Sequence, residues 1–474
     1  MRFNRSIIWF RNNLRLQDNE ALVEGIQQSS EYILIYIFDE ALWKDNPISM
    51  AHASQKRLTF LWQSVANLRE SIFSLGGELI ISKGNPEKVI EEMAAQYNCD
   101  AVFAPKEAGV YEQQSEERLE KVLTRKKIFF NTYAQNTLFH EEDIPWPIGK
   151  LPDVFTQFRK ENEKQTAVRK LIKTPLEFSL SVKLNEKKVS ALDVGISPEK
   201  PSAKSVLAFA GGEKEAWARL NHYFWEQDQL KNYKVTRNGL LGSDYSSKFS
   251  PWLALGCISP KSIYYEVMRY EAERVKNQST YWLVFELIWR DYFHFVLKKF
   301  QKRLFHASGI KEEEVEWSSD EKIFKRWAAG ETGVPFVDAN MRELNETGYM
   351  SNRGRQNVAS FLVKDLGIDW RMGAWYFEHA LLDYDVASNW GNWAYVAGVG
   401  NDPRENRYFN ILSQAKKYDP KGDYVRFWLP ELKNVEGFNI HKIALLNKKE
   451  YLKQINGTKI DYFDPIVDMK KWDY

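Results

Sequence analysis

Short apolar runs alternate with amphipathic stretches through the first 135 residues of this chain. SIIWF (from Ser6), YILIYIF (from Tyr32), ELIIS (from Glu78), AVFAP (from Ala101) and KIFFNTY (from Lys127) are nearly unbroken in apolar character, as strands buried on both faces are. Between them Ala21–Gln28, Gln55–Leu75, Pro86–Tyr97 and Glu112–Lys126 carry apolar residues at helical spacing, with Pro86 suited to a first helical turn. Strands separated by helices predict a doubly wound parallel sheet. Its ligands belong at the carboxyl ends of the strands, in the loops after Asp39, Ser82 and Pro105. No G-x-G-x-x-G follows any strand, which argues against dinucleotide binding in this half.

The pattern lapses between 136 and 205. Ser179–Ser205, rich in Lys, Glu, Ser and Pro, reads as an exposed connector running over the surface. From Ala210 onward helical periodicity dominates, as in Ala216–Glu226, Pro260–Ala272, Tyr281–Lys299 and Gln356–Leu366. The expected organisation is an α/β domain over 1–135, a connector over 136–205 and a helical domain over 206–474. There is no internal repeat, and the tail Asn447–Tyr474 is ordinary in composition.

Composition narrows the class. At 474 residues with 44% apolar and 27% charged content, the chain suits two or three globular domains. A net charge of only +2 confines any nucleic-acid site to a local basic patch. Cys99 and Cys257 are too few for a disulfide framework or an iron–sulfur cluster, and no metal site is expected. No signal peptide or membrane helix is visible, so a monomer in the reducing cytoplasm is the expectation. The outlier is the 17 Trp, 23 Tyr and 28 Phe, which suit a large core as well as ring stacking on a ligand.

The sharpest signal is DYDVASNWGNWAYVAGVGNDPRENRYF, Asp383 to Phe409. Asp383, Asp385, Asn389 and Asn392 stand there among Trp390, Trp393 and Tyr395, a composition that predicts a buried polar network around a planar ligand. Upstream, SSKFSP (from Ser246) is a hydroxyl-rich turn followed by a helix-starting proline, suited to an anion. Glu286 lies on an apolar helix beside Trp282, Phe285, Trp289 and Phe293, where its pKa should rise. Glu286 and Arg290, four apart, could equally form an intrahelical ion pair.

With NRGRQNVASFLVK (from Asn352), TGVPFVDANMREL (from Thr332) and YDPKGDYVRFWLPEL (from Tyr418), these blocks resemble the DNA photolyase/cryptochrome family, and its DASH branch closely. The resemblance covers essentially the whole chain. It implies an α/β antenna domain followed by an all-α domain binding FAD, and a deoxyribodipyrimidine photo-lyase. Blue light would drive one electron from reduced FAD into a cyclobutane pyrimidine dimer, preferentially in single-stranded DNA. The alternative is a photosensory cryptochrome that binds FAD and DNA and repairs little. A flavin oxidoreductase using a nicotinamide partner lacks the dinucleotide fingerprint.

The resemblance also assigns residues. Tyr233, Ser246, Ser247, Lys248, Phe249 and Ser250 would hold FAD, with Lys248 in place of the commoner Arg. Arg290, Asn352, Arg355, Asp383 and Asp385 would line the flavin, and Asn389 would face its N5. Glu286 would contact the thymine carbonyls, and Trp289 would pack on the lesion. Trp393, Trp370 and Trp317 fall on the positions of the electron relay. Gln356 and Tyr395 replace the Met and Trp of conventional dimer photolyases, and Asn352 and Gln356 replace the two histidines of (6-4) enzymes. Arg353 and Lys364 would contribute to a phosphate-binding rim. In the first domain Asn13 replaces a usual Asp, and Glu107 would bind a 5,10-methenyltetrahydrofolate antenna, with Arg407 reaching it from the second domain.

Overall fold

The computed structural model describes residues 3–184, 189–312, 314–404, 407–435, 437–446 and 462–472. Five strands form one parallel sheet: β1 (Phe3–Phe10), β2 (Ser29–Asp39), β3 (Leu79–Gly84), β4 (Ala101–Pro105) and β5 (Phe129–Tyr133), in the order β3-β2-β1-β4-β5. All five apolar runs are strands. The central ones are apolar because helices cover both faces; Ile7, Ile33 and Val102 are fully buried on one side, Phe10, Leu34 and Phe103 on the other. Helices Glu20–Gln28, Gln55–Ser74, Pro86–Gln96 and Val110–Arg125 fill the expected positions. Asn19, Ser54 and Asn85 cap the first three by accepting backbone N–H groups.

The connector is more structured than its composition suggests. It holds a helix, Phe155–Gln165, that the lapse in periodicity concealed. Ser179–Ser205 is also not simply exposed. The Tyr32 amide donates to the Leu180 carbonyl at 3.2 Å, and the Val182 amide donates back to Tyr32 at 2.8 Å, which continues the sheet edge above β3. Val194 and Ile196 are buried as well. Single apolar anchors hold this stretch, and isolated anchors leave no period to detect.

The rest is helical, as expected. The helix Gln278–Phe300 runs through its centre and opens with a reciprocal cap between Asn277 and Thr280. Helices Pro260–Glu273, Pro335–Thr347, Trp370–Ala380 and Val386–Ala397 surround it. Two expected helices end differently: Glu213–Asn221 and Asn352–Ser360 each widen into a π turn, at His222–Glu226 and Phe361–Asp365. Of the tail, 447–461 and 473–474 lie outside the described residues.

Buried polar contacts join the two halves. Asp291 of the central helix accepts the backbone N–H groups of Leu138 (2.9 Å) and Phe139 (2.8 Å), and burial pushes its carboxyl up to about 7. Arg15, after β1, donates to the carbonyl of Gly256 at 2.9 Å. Both cysteines are buried and free. Among the described residues no helix is long and apolar enough to cross a membrane.

Candidate functional site

Beside the central helix the helical part encloses a cavity of about 490 Å³. Its walls come from the 246–250 loop, the Gln278–Phe300 helix, the start of Asn352–Ser360 and the segment from Asp383 to Val396. These are the blocks the sequence singled out, and tertiary folding brings them to one place.

The serine loop owes its shape to Arg219, which the sequence reading missed. Its buried guanidinium donates to the carbonyls of Ser243, Ser246 and Ser247, each at 3.0 Å, and pairs with Asp244 at 2.7 Å. Lys248 takes a left-handed backbone conformation (φ 55°), and its ammonium is buried with no hydrogen-bond acceptor among the described residues, 3.1 Å from the Tyr245 ring centre. Burial holds that ammonium well below its usual pKa. A buried cation without an acceptor suits an anionic ligand. Ser246, Ser247, Phe249, Ser250 and Tyr233 line the cavity beside it.

Arg355, which shares the Tyr349 ring with Lys248, pairs with Asp383 at 2.8 Å, while the second Asp383 oxygen is buried with no hydrogen-bond partner among the described residues. Asp385 caps the Val386–Ala397 helix by accepting the Ser388 amide at 2.7 Å. Asn389 donates to the Ala374 carbonyl at 3.0 Å, which fixes its amide at the cavity surface. Trp393 lies next to it. A side chain at Gly373 would place its Cβ 2.2 Å from the Trp393 ring, so this glycine is what lets the indole reach the cavity. A buried lysine and an open carboxylate oxygen in one cavity fit FAD, whose diphosphate and ring N–H would meet them.

Glu286 and Arg290 do not form the intrahelical pair. Glu286 binds Arg237 at 2.6 Å, and Arg290 donates to the carbonyls of Asn136 and Leu253. Burial pushes the Glu286 carboxyl upward, with Arg237 opposing the shift. Arg237 was missed because a lone arginine after an unremarkable turn carries no pattern. Trp289 lines the cavity, but one face lies parallel on Phe155 of the connector helix, with centroids 3.5 Å apart. Tyr395 meets Trp289 edge-on at 6.0 Å.

Asn352 and Gln356 line the opening. Arg353 does not line the cavity; it donates to Asn238 at 3.1 Å and lies over Tyr418. Two expectations need correction. Lys364 donates to the Ala397 carbonyl at 3.0 Å and so caps a helix end instead of standing on a rim. Arg407 lines this same cavity, bonded to Asp402 and to the Tyr395 hydroxyl at 3.2 Å, and not the crevice around Glu107.

The three tryptophans that the resemblance assigns to an electron relay differ in exposure. Trp393 faces the cavity, Trp370 is fully buried and Trp317 is partly exposed. The Trp370 and Trp317 indole N–H groups share one acceptor, the Ala307 carbonyl, at 3.1 and 3.0 Å.

Glu107 lies apart, in the crevice where the strand order reverses between β1 and β4, as ligand sites of such sheets do. A solvated loop glutamate would be the ordinary expectation, yet this one is buried with Arg11, Glu112 and Glu116. Burial first, and the two acids after it, push its carboxyl up to about 7 against the pull of Arg11. Asn136 links the two regions, donating to Glu107 at 3.5 Å while its carbonyl accepts from Arg290.

Known proteins agree with this architecture. Residues 6–177 match the DNA photolyase family and 282–473 the FAD-binding domain of DNA photolyase. A cryptochrome DASH of Synechocystis sp. is 48% identical, with 98% of this chain and 95% of that protein aligned. One from Danio rerio is 45% identical, over 100% and 92%. The crystal structure of a Synechocystis sp. cryptochrome superposes with a TM-score of 0.94 at 47% identity, covering 100% of this chain and 98% of that one. A class III photolyase from Agrobacterium tumefaciens gives 0.87 at 29% identity, covering 100% and 96%. On fold, cavity and alignment together, this chain belongs to the cryptochrome DASH branch of the DNA photolyase/cryptochrome family.

Proposed function

We propose that this flavoprotein is a light-driven lyase that splits cyclobutane pyrimidine dimers, preferentially in single-stranded DNA. The observation that carries the reading is the meeting, in one cavity, of the groups suited to hold FAD (Lys248, Asp383, Asn389) with a half-buried carboxyl and aromatic edges suited to a flipped-out dimer (Glu286, Trp289, Tyr395). FAD held by Lys248, Asp383 and Asn389 would supply, when reduced and lit with blue light, the one-electron chemistry that opens the dimer's ring and leaves the flavin unchanged overall.

The chain's own residues position and stabilise. Glu286, its carboxyl pushed upward by burial against the pull of Arg237, lines the cavity where a thymine carbonyl would lie as that oxygen gains charge. Arg237 holds the carboxyl in place and adds positive charge nearby. Asn389, fixed through Ala374, presents its amide at the cavity wall where the flavin N5 is assigned. Trp393, Trp370 and Trp317 would pass electrons from an external reductant at the surface inward to an oxidised flavin. The Glu107 crevice, within an antenna domain spanning 1–135, would hold a methenyltetrahydrofolate that feeds excitation to FAD.

The test is to purify the protein with its flavin, reduce it, and illuminate a single-stranded oligonucleotide bearing one thymine dimer. Light-dependent return of intact thymines is expected. Bound flavin with no thymine restored, in light as in the dark, would favour the photosensory alternative.

A further inference from the structure

The central helix has a half-open face that starts about a turn ahead of the residues assigned to the dimer. Leu283, Val284, Leu287 and Ile288 bury its inner side. The half-open side carries Tyr281, Trp282 and Phe285 before it reaches Glu286 and Trp289. An exposed helix face ordinarily carries charged residues, so three rings in five residues are out of place. They form one continuous set. Trp282 stacks on Phe285 with centroids 4.5 Å apart, Tyr281 lies 6.3 Å from Phe285, and Phe285 itself lines the cavity.

Cations lie over these rings: Lys234 is 4.4 Å and Arg237 5.6 Å from the Trp282 centre, and Arg159 is 5.7 Å from Phe285. The nearby carboxylates, Glu163 and Glu286, are already paired with Arg159 and Arg237. The Lys234 ammonium donates to the neutral Gln278 side chain at 2.7 Å and has no carboxylate partner among the described ion pairs. Aromatic faces interleaved with long basic side chains are what a single nucleic-acid strand needs: rings for bases, cations for phosphates. From Tyr281 to Trp289 the helix rises about 12 Å, room for about three stacked nucleotides.

We propose that Tyr281, Trp282 and Phe285 form a stacking ramp for the unpaired bases that flank the dimer, leading the strand into the cavity. This rests on the repair reading for the dimer's place, and on the ring geometry for its own. A duplex keeps its bases stacked on one another and cannot use such a ramp, so the ramp itself favours single strands.

Dark binding of a labelled ten-residue oligothymidine to the flavin-loaded protein, followed by fluorescence anisotropy, tests it without any photochemistry. Trp282→Leu and Phe285→Leu should each weaken binding about tenfold, while Trp282→Phe should restore most of it. A second arm uses wild-type protein alone. An oligonucleotide with abasic sites flanking its dimer keeps the phosphates and loses the bases, and should bind as weakly as the leucine variants bind the intact strand. Equal affinities within twofold in either arm would overturn the ramp. So would loss of self-association in Trp282→Leu, seen by sedimentation, without any change in DNA binding, since the rings would then serve a second copy. Absence of thymine restoration alongside ring-dependent binding would sink the repair reading and leave the ramp standing.

Discussion

Glu107 and Glu286 are both carboxyls drawn away from water, yet the two regions around them settle the cost differently. In the sheet crevice, three acids crowd one guanidinium, and Glu107 meets the excess by keeping its proton up to about neutral pH. In the helical cavity Glu286 faces a single cation, Arg237, among aromatic walls. One region stores a proton, the other stores a charge pair beside apolar surface. Substitutions should therefore act through stability in the crevice and through ligand and chemistry in the cavity.

The largest effect should come from breaking the cavity's charge pairing at the flavin wall. Asp383→Ala strands Arg355 without its partner, at a cost of about 3 kcal/mol or more. Flavin absorbance per protein after gel filtration should fall at least tenfold, in roughly that order of magnitude. Full flavin content would show that Asp383 is not part of the cradle. Next comes Trp393→Phe, which removes the cavity-facing indole and should slow photoreduction of oxidised flavin at least about tenfold. Chemically reduced protein should still repair. Normal photoreduction in this variant would move the relay elsewhere.

Glu286→Ala should lower repair per absorbed photon several-fold at saturating substrate while flavin content holds. An unchanged yield would reduce Glu286 to a structural partner of Arg237. The smallest effect on flavin and repair belongs to the crevice, where substitution shows instead as a pH dependence of stability. A carboxyl raised above its unfolded pKa binds its proton more tightly when folded, so its contribution is most favourable at low pH. That contribution is lost as pH rises from about 4.3 to about 7. Thermal melts should find Glu107→Gln more stable than wild type at pH 8, with the gap closing towards pH 5. A gap independent of pH would contradict the raised value.

How much of this was legible in the sequence follows the same division. The sheet was readable strand by strand because burial on both faces leaves apolar runs such as YILIYIF, and the cavity was readable because amides beside large rings have no other good use. What stayed hidden has no local signature. Arg219 shapes the serine loop through backbone carbonyls 24 to 28 residues away, a relation no window of sequence displays. Arg237 pairs with Glu286 across two elements, and Phe155 covers Trp289 from a helix whose own periodicity is weak. Lys364 and Arg407 show the reverse error. A basic residue near a site reads as ligand-facing until its acceptor is visible, here a helix-end carbonyl for one and Asp402 for the other.

The central claim, that this cavity repairs dimers best when the strand is unpaired, meets its most direct test in one side-by-side measurement. Flipping a dimer out of a duplex costs a few kcal/mol of unpairing and unstacking, least where the strand is already single. With Gln356 and Tyr395 lining the cavity, less apolar surface would be on offer to an extruded dimer than Met and Trp would supply. The same dimer-bearing oligonucleotide, alone and annealed to its complement, is illuminated with reduced protein at one salt concentration, and restored thymines are counted against dark controls. The account predicts light-dependent restoration that is efficient in the single strand and at least about tenfold slower in the perfect duplex. Equal rates on the two substrates would contradict it.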